Sequence, residues 1–262
     1  MRILFLGDIV GRPGYSAITS LLPRIRQERE LDLVIANAEN AADGSGLTTQ
    51  QFRGLIAAGI DVVTMGDHIY RKLEIKPTLQ SDPRIVKPAN FPAAAPGIPW
   101  TTATTRGGVQ VAVLSLLGRV FMRPVDCPFQ AADRWLNELP SAVKVRIVDI
   151  HAEATSEKQT IARYLDGRVS AVLGTHTHVP TADAQILAGG TAYQTDVGMT
   201  GPYDGVIGRD FDRVLTTTVT FEPLHFNVAT GDVRICGAVV DIDPKTGLAT
   251  SIERFEQAVH ED

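Results

Sequence analysis

Five short apolar runs in this 262-residue chain stop at an acid or an imidazole, and that recurrence limits the fold more than any other feature. Arg2 to Leu6 ends in Gly7-Asp8, and Leu31 to Ala36 in Asn37-Ala-Glu-Asn40. Asp61 to Met65 ends in Gly66-Asp67-His68, Val143 to Ile150 in His151, and Val169 to Leu173 in Gly174-Thr-His-Thr-His178. The continuous apolar run Arg2 to Leu6, stopped by Gly7-Asp8, predicts a buried central strand emptying into a loop, Leu31 to Ala36 repeats the pattern, and the other three predict further strands. In an open α/β sheet the loops beyond the carboxyl ends of the strands meet in one crevice, so residues far apart in sequence converge there. The expectation is an α/β chain whose chemistry lies at one edge of its strands.

The intervening segments fit alternation of strand and helix. Tyr15 to Arg29 has Ile18, Leu21, Leu22 and Ile25 at helical spacing, after a turn expected at Gly11-Arg-Pro-Gly14. Thr48 is the expected N-cap of a helix through Ala58, with Gly59 as its stop. Pro88 to Pro99 is read as an ordered loop excursion. Thr101 to Thr105 and Val109 to Leu114 predict a hairpin around Arg106-Gly-Gly108. Ala131 to Leu139 and Thr155 to Leu165 predict two further helices. Ala184 to Leu187 with Thr191 to Gln194 predicts a second hairpin, and Val233 to Val240 with Leu248 to Phe255 an antiparallel pair. Gly198 to Gly205 reads either as a loop lining the site or as plain surface. Gly174 is read as the residue that lets the chain turn after its strand.

Composition narrows the partners. Twenty-five basic against thirty acidic residues leave a net charge of -5, so no global basic field favours a nucleic-acid polymer or an anionic membrane. Short RNA ends need no such field. Cys127 and Cys236 lie far apart without a Cys-x-x-Cys spacing, which argues for core thiols rather than a disulfide framework or a thiolate zinc site. The apolar start, Met1 to Leu6, reaches Asp8 too soon for a signal sequence or a membrane span, and the expected compartment is the cytoplasm. One domain over 1-262 is expected, and the partner is a small substrate.

Collected, the strand ends carry Asp8, Glu39, Asn40, Asp67, His68, His151, His176 and His178. Singly, Asp8 and Asn40 read as helix caps or turn formers, and an isolated His-x-His as a solvent-facing pair. Jointly, four of the six histidines occupy such positions; His225 and His260 do not and receive no role. Three carboxylates with three or four imidazoles suit divalent Mn, Fe, Co or Zn. Two ions would use that many ligands, and pairs about 3.5 to 4 Å apart serve in-line displacement at phosphorus by generating a hydroxide and neutralising phosphate oxygens. Glu39 is the natural bridge, and His68 is placed to protonate a leaving alkoxide. Arg12 and Arg119 are secondary candidates for phosphate contact. Gly11-x-x-Gly14 lacks the Lys-Ser/Thr of a P-loop.

Gly7-Asp8, Ala38-Glu39-Asn40, Gly66-Asp67-His68, His151-Ala-Glu153 and Gly174-Thr-His-Thr-His178 resemble the five blocks of the calcineurin-like metallophosphoesterases. More closely, the chain resembles their YmdB-like bacterial branch. Gly7 to Gly14, Leu117 to Met122, His151 to Lys158 and Thr191 to Asp196 fit that branch, as does Val10 where many superfamily members carry histidine.

The resemblance implies a four-layer α/β/β/α sandwich with two central sheets, and hydrolysis of small phosphodiesters such as 2',3'-cyclic nucleotides by a metal-bridging hydroxide. It implies two divalent ions, Fe or Mn foremost, with Zn, Co or Mg as alternatives, and a homo-oligomer. Asp8, Glu39 and His178 would hold one ion, and Glu39, Asp67, His151 and His176 the other. Asn40 and His68 would face the phosphate, Asn40 also within reach of the metals. Asp67 departs from the Asn usual in the family. With three carboxylates and a hydroxide, two divalent ions leave the site formally neutral, which implies tighter metal retention and weaker pull on an anionic ester. A phosphomonoesterase with the same metals, and a metal-stabilised regulatory module with weak catalysis, are the competing readings.

Overall fold

The computed structural model describes residues 1–259, so His260 lies outside the described residues. In chain order, β1 (Arg2–Leu6) leads into the short β2 (Asp8–Ile9) and helix α1 (Gly11–Glu28). Then come β3 (Leu33–Asn37), α2 (Thr49–Ala57), β4 (Val62–Thr64), the short α3 (Lys76–Ser81) and β5 (Ile85–Val86). The middle of the chain supplies β6 (Trp100–Thr104), β7 (Gln110–Leu117), α4 (Pro128–Glu138), β8 (Val145–His151), α5 (Thr155–Leu165) and β9 (Ala171–Thr175). β10 (Gln185–Ile186), β11 (Ala192–Gln194), β12 (Met199–Pro202), α6 (Phe211–Thr220), β13 (Val233–Ile242) and β14 (Ala249–Ala258) complete it.

These strands build two sheets. The first has the order β2-β12-β13-β1-β3-β4-β5, with β14 paired to β13; the second has the order β10-β11-β9-β8-β7-β6. Within the first, β1, β3, β4 and β5 are parallel neighbours. Within the second, β7, β8, β9 and β11 are parallel, edged by antiparallel β6 and β10. Side chains alternate faces along a strand, and each run therefore feeds two cores. In β1, Leu4 and Leu6 pack with Ile18, Leu22, Phe52 and Leu55 of α1 and α2, while Ile3 and Phe5 turn inward. In β8, Val148 and Ile150 meet Trp135 of α4 and Ile161 of α5, while Val145 and Ile147 join Ile3 and Phe5 between the sheets. Helices, sheet, sheet, helices: the expected four layers are present.

Local chemistry explains most element limits. Thr48 caps α2 by accepting from the backbone of Gln51, whose side chain accepts in return from the Thr48 backbone, a reciprocal capping box. Both expected hairpins form in register. Three sequence expectations need correction. Gly11 to Gly14 is not a turn before the helix but the first turn of α1, where Pro13 needs no intrahelical N–H bond. Gly198 to Gly205 is not one loop, because Met199–Pro202 is a buried strand pairing with β2 and β13 and only the residues from Tyr203 on approach the surface. Gly174 does not turn the chain; it lies inside β9, where a side chain would collide with the Thr195 carbonyl. The two cysteines are free, Cys236 buried but Cys127 only half-buried, just ahead of α4.

Candidate metal centre

Neither Asp8 nor Asn40 caps a helix: α1 is preceded by Val10 and α2 by Thr48. The carboxyl ends of β1, β3 and β4 from one sheet face those of β8 and β9 from the other, and the eight candidate residues gather where they meet. Ligand-type atoms of Glu39, Asp67, His151 and His176 all lie within 4.8 Å of one another. His151 Nε2 is 3.0 Å from Glu39 Oε1, 3.2 Å from Asp67 Oδ1 and 3.1 Å from His176 Nδ1. Beside them stands a second group. Asn40 Nδ2 donates to Asp8 Oδ1 at 3.3 Å and lies 3.3 Å from His178 Nε2, which is itself 3.6 Å from Asp8 Oδ1. His68 joins the groups, its backbone N–H donating to Glu39 Oε2 and its Nδ1 lying 2.8 Å from Asn40 Oδ1.

Each imidazole is held from behind, and this fixes which nitrogen faces inward. The Thr175 hydroxyl donates to Asp149 Oδ1 at 2.6 Å, so its oxygen is left to accept from His151 Nδ1 at 2.9 Å. Nε2 of His151 is then the nitrogen that faces the cluster. His176 Nε2 is 3.1 Å from Glu153 Oε2, turning Nδ1 inward. His178 Nδ1 donates to the Ile207 carbonyl at 2.9 Å, turning Nε2 inward. Asp149 in turn also accepts from Thr64 and Asn37, and burial pushes its carboxyl up to about 6. Gly66 serves the packing, since a side chain there would overlap the His151 ring.

The electrostatics follow from burying acids among imidazoles. Burial opposes ionisation of Asp8 and Asp67, but the neighbouring histidines outweigh it and hold both carboxyls well below the usual range. Burial likewise opposes charge on His151, yet Glu39, Asp67 and Asp8 drive it well above its ordinary value; Asp8 does the same for His178. His176 goes the other way, to about 4, through burial and the adjacent His151. The acids therefore pull positive charge onto His151 and His178, and a divalent cation answers that pull as a proton does. Glu39 Oε1 is buried and, among the described residues, accepts no hydrogen bond although it points at two imidazoles. A buried acceptor without a partner is costly, and the mixed N/O donor set around it fits a divalent transition metal.

Residues 4–255 match the model of the YmdB-like protein family. The chain belongs to that family. A Bacillus subtilis protein named 2',3'-cyclic-nucleotide 2'-phosphodiesterase is 46% identical over 97% of this chain and 96% of its own length. A Mycoplasma genitalium protein named putative phosphatase/phosphodiesterase is 33% identical over 97% of this chain and 92% of that one. Among solved structures, a hypothetical protein from Thermus thermophilus superposes with a TM-score of 0.93 at 43% identity, covering 98% of this chain and 99% of that one. One described as a novel phosphatase from Mycoplasma pneumoniae superposes at 0.92 with 30% identity, covering 98% and 93%.

In this YmdB-like chain the secondary phosphate candidates fall outside the cluster's contacts. Arg12 is exposed and lines a groove of about 1240 Å³ with His225 and residues 227–233, whose walls include none of the eight candidate residues. Arg119 is exposed too, its backbone N–H donating to Glu157 and its carbonyl accepting from the Met122 N–H. Sequence reasoning missed the supports behind the imidazoles: Thr175, Asp149, Asn37, Glu153 and the Ile207 carbonyl. Asn37 and Asp149 had a signal, Asn37 directly following the apolar stretch Leu33 to Ala36 and Asp149 interrupting Ile147 to Ile150. The Ile207 carbonyl had none, because backbone groups carry no sequence identity.

Proposed function

We propose that this YmdB-like chain is a metal-dependent phosphodiesterase acting on small phosphodiesters of the 2',3'-cyclic nucleotide class. The observation that carries the reading is the set of three inward-turned imidazole nitrogens around three acids, one of them with an unpartnered buried oxygen. The Bacillus subtilis relative's name supplies the substrate class. Asp8, Glu39 and His178 would hold one divalent ion and Glu39, Asp67, His151 and His176 a second, Fe or Mn ahead of Zn, Co or Mg. When bound, such a pair activates water at neutral pH and neutralises phosphate oxygens. Asn40 fixes His68 by accepting from Nδ1, which leaves Nε2 to hold a proton for the departing alkoxide. Asn40, whose Nδ2 lies beside Asp8 and His178, would stand within reach of both the ions and the substrate phosphate.

The test is an assay with Mn on 2',3'-cAMP, bis-p-nitrophenyl phosphate and p-nitrophenyl phosphate. Turnover of the diesters is expected. Turnover of the monoester alone replaces the reading with a phosphomonoesterase, in line with the description of the Mycoplasma pneumoniae structure as a phosphatase; silence on all three leaves a regulatory module. Metal content with anomalous scattering identifies the ions. We read residues 1-262 as one domain, and the two unpaired cysteines suit the cytoplasm. Helix α6 supports a homo-oligomer. No residue of α6 is buried, Phe211, Leu215 and Val219 form an exposed apolar stripe, and Val214 to Phe221 carries no charge. On a protein of net charge -5, an uncharged face is where a second copy docks with least repulsion.

A further inference from the structure

We propose that the buried ion pair Lys158–Asp196 is a positioning device that holds the His176-Thr177-His178 loop in its metal-ready shape; the inference rests on the metal-site reading above. His151 to Lys158 and Thr191 to Asp196 carry the family resemblance, and the structure joins their last residues, Lys158 and Asp196, to which the chemistry assigns no part. Lys158 Nζ donates to Asp196 Oδ2 at 2.8 Å, and both residues are fully buried. The same Oδ2 accepts from the Thr177 backbone N–H at 3.1 Å and from its hydroxyl at 2.7 Å, while Oδ1 accepts from the Gly198 N–H at 2.8 Å. One carboxylate therefore grips the residue between the two histidines by two bonds.

What it grips is an unfavourable backbone. His176 has φ 94° and His178 φ 66°, left-handed values that non-glycine residues rarely adopt and that persist only where surroundings enforce them. In this conformation the His176 N–H donates to Asp8 Oδ2 at 3.0 Å, and both rings turn into the cluster. Lys158 sits on α5, two residues after Ser156 and one after Glu157, whose carboxylate binds the backbone N–H groups of Arg119 and Val120. The helix is thereby anchored on its other side. A buried carboxylate without its cation is strongly disfavoured, so Lys158 keeps Asp196 in place and Asp196 keeps Thr177. Released, the loop relaxes toward ordinary φ values and swings both imidazoles from their stations.

The experiment measures Mn binding to the chelator-stripped full chain by electron paramagnetic resonance, alongside thermal unfolding. Thr177→Val leaves the ion pair intact and deletes the hydroxyl bond; Lys158→Met removes the pair. Loss of support behind a metal ligand costs about 10- to 100-fold in metal affinity, and that is the expected weakening for Lys158→Met, with Thr177→Val at the lower end and Thr177→Ser restoring parental binding. Trp135→Phe, in the core between β8 and α4, is the stability control: it lowers the melting temperature and leaves Mn affinity unchanged. If Lys158→Met fails to fold, Thr177→Val and Thr177→Ser decide. Parental Mn affinity in Thr177→Val, or equal weakening in Trp135→Phe, overturns the inference. A parent chain that, after stripping, takes up neither Mn nor Fe, Zn or Co overturns the metal-site reading itself, and this inference with it.

Discussion

At the scale of single residues, the direction in which a histidine presents its lone pair decides whether it can be a ligand. His151 is set by Thr175, which has spent its only proton on Asp149. Thr175→Val keeps the shape and removes the acceptor, so metal affinity is expected to fall by about 10-fold or more, while Thr175→Ser retains it; a chelator competition titration measures both. Asp67 makes a second case. It places Oδ1 near His151 and His176 and Oδ2 3.5 Å from His68 Nε2. Asp67→Asn removes one of three negative charges, and the expected outcome is looser metal binding with a higher kcat/KM on an anionic ester. Equal values for both quantities would remove the charge argument. All eight candidate residues were legible from strand ends alone. Most of their supports were not: Asp149 stands out as an acid among apolar neighbours, but Thr175 looks like an ordinary strand residue until the neighbouring strand is in place.

Elements were legible where the local signal agreed with the packing. α2 begins at Thr48 because side chain and backbone satisfy each other there, and Thr48→Ala is expected to cost about 1 kcal/mol in urea unfolding, with an unchanged m-value. α1 was read too short because Gly11 and Pro13 look like turn residues, yet both suit a helix start. α6 was not read at all. Thr216, Thr217, Thr218, Val219 and Thr220 are β-branched, and such residues lower helix propensity. A ten-residue helix of this kind with no buried face is marginal in water, so an external surface is expected to cover it. If a second copy supplies that surface, Leu215→Glu is expected to shift sedimentation toward the monomer, with a small loss of helical circular dichroism confined to what α6 contributes.

Across the whole molecule, the candidate ligands come from both sheets. Asp8, Glu39 and Asp67 follow strands of one; His151, His176 and His178 end or follow strands of the other. Ions held between them would tie sheet to sheet. Stripping the metal is therefore expected to lower the melting temperature, by the equivalent of about 2.7 kcal/mol when the free ion stands at 100 times its Kd. Calorimetry with and without chelator checks this.

The strand order has a temporal side. β1, made first, hydrogen-bonds on one flank to β13, which begins at Val233. Until that late segment leaves the ribosome, the innermost strand of the larger sheet offers an open row of amides and carbonyls, the kind of edge that recruits foreign strands. Nascent or prematurely ended chains are for that reason the forms of this protein most in need of a chaperone, whatever the native state withstands.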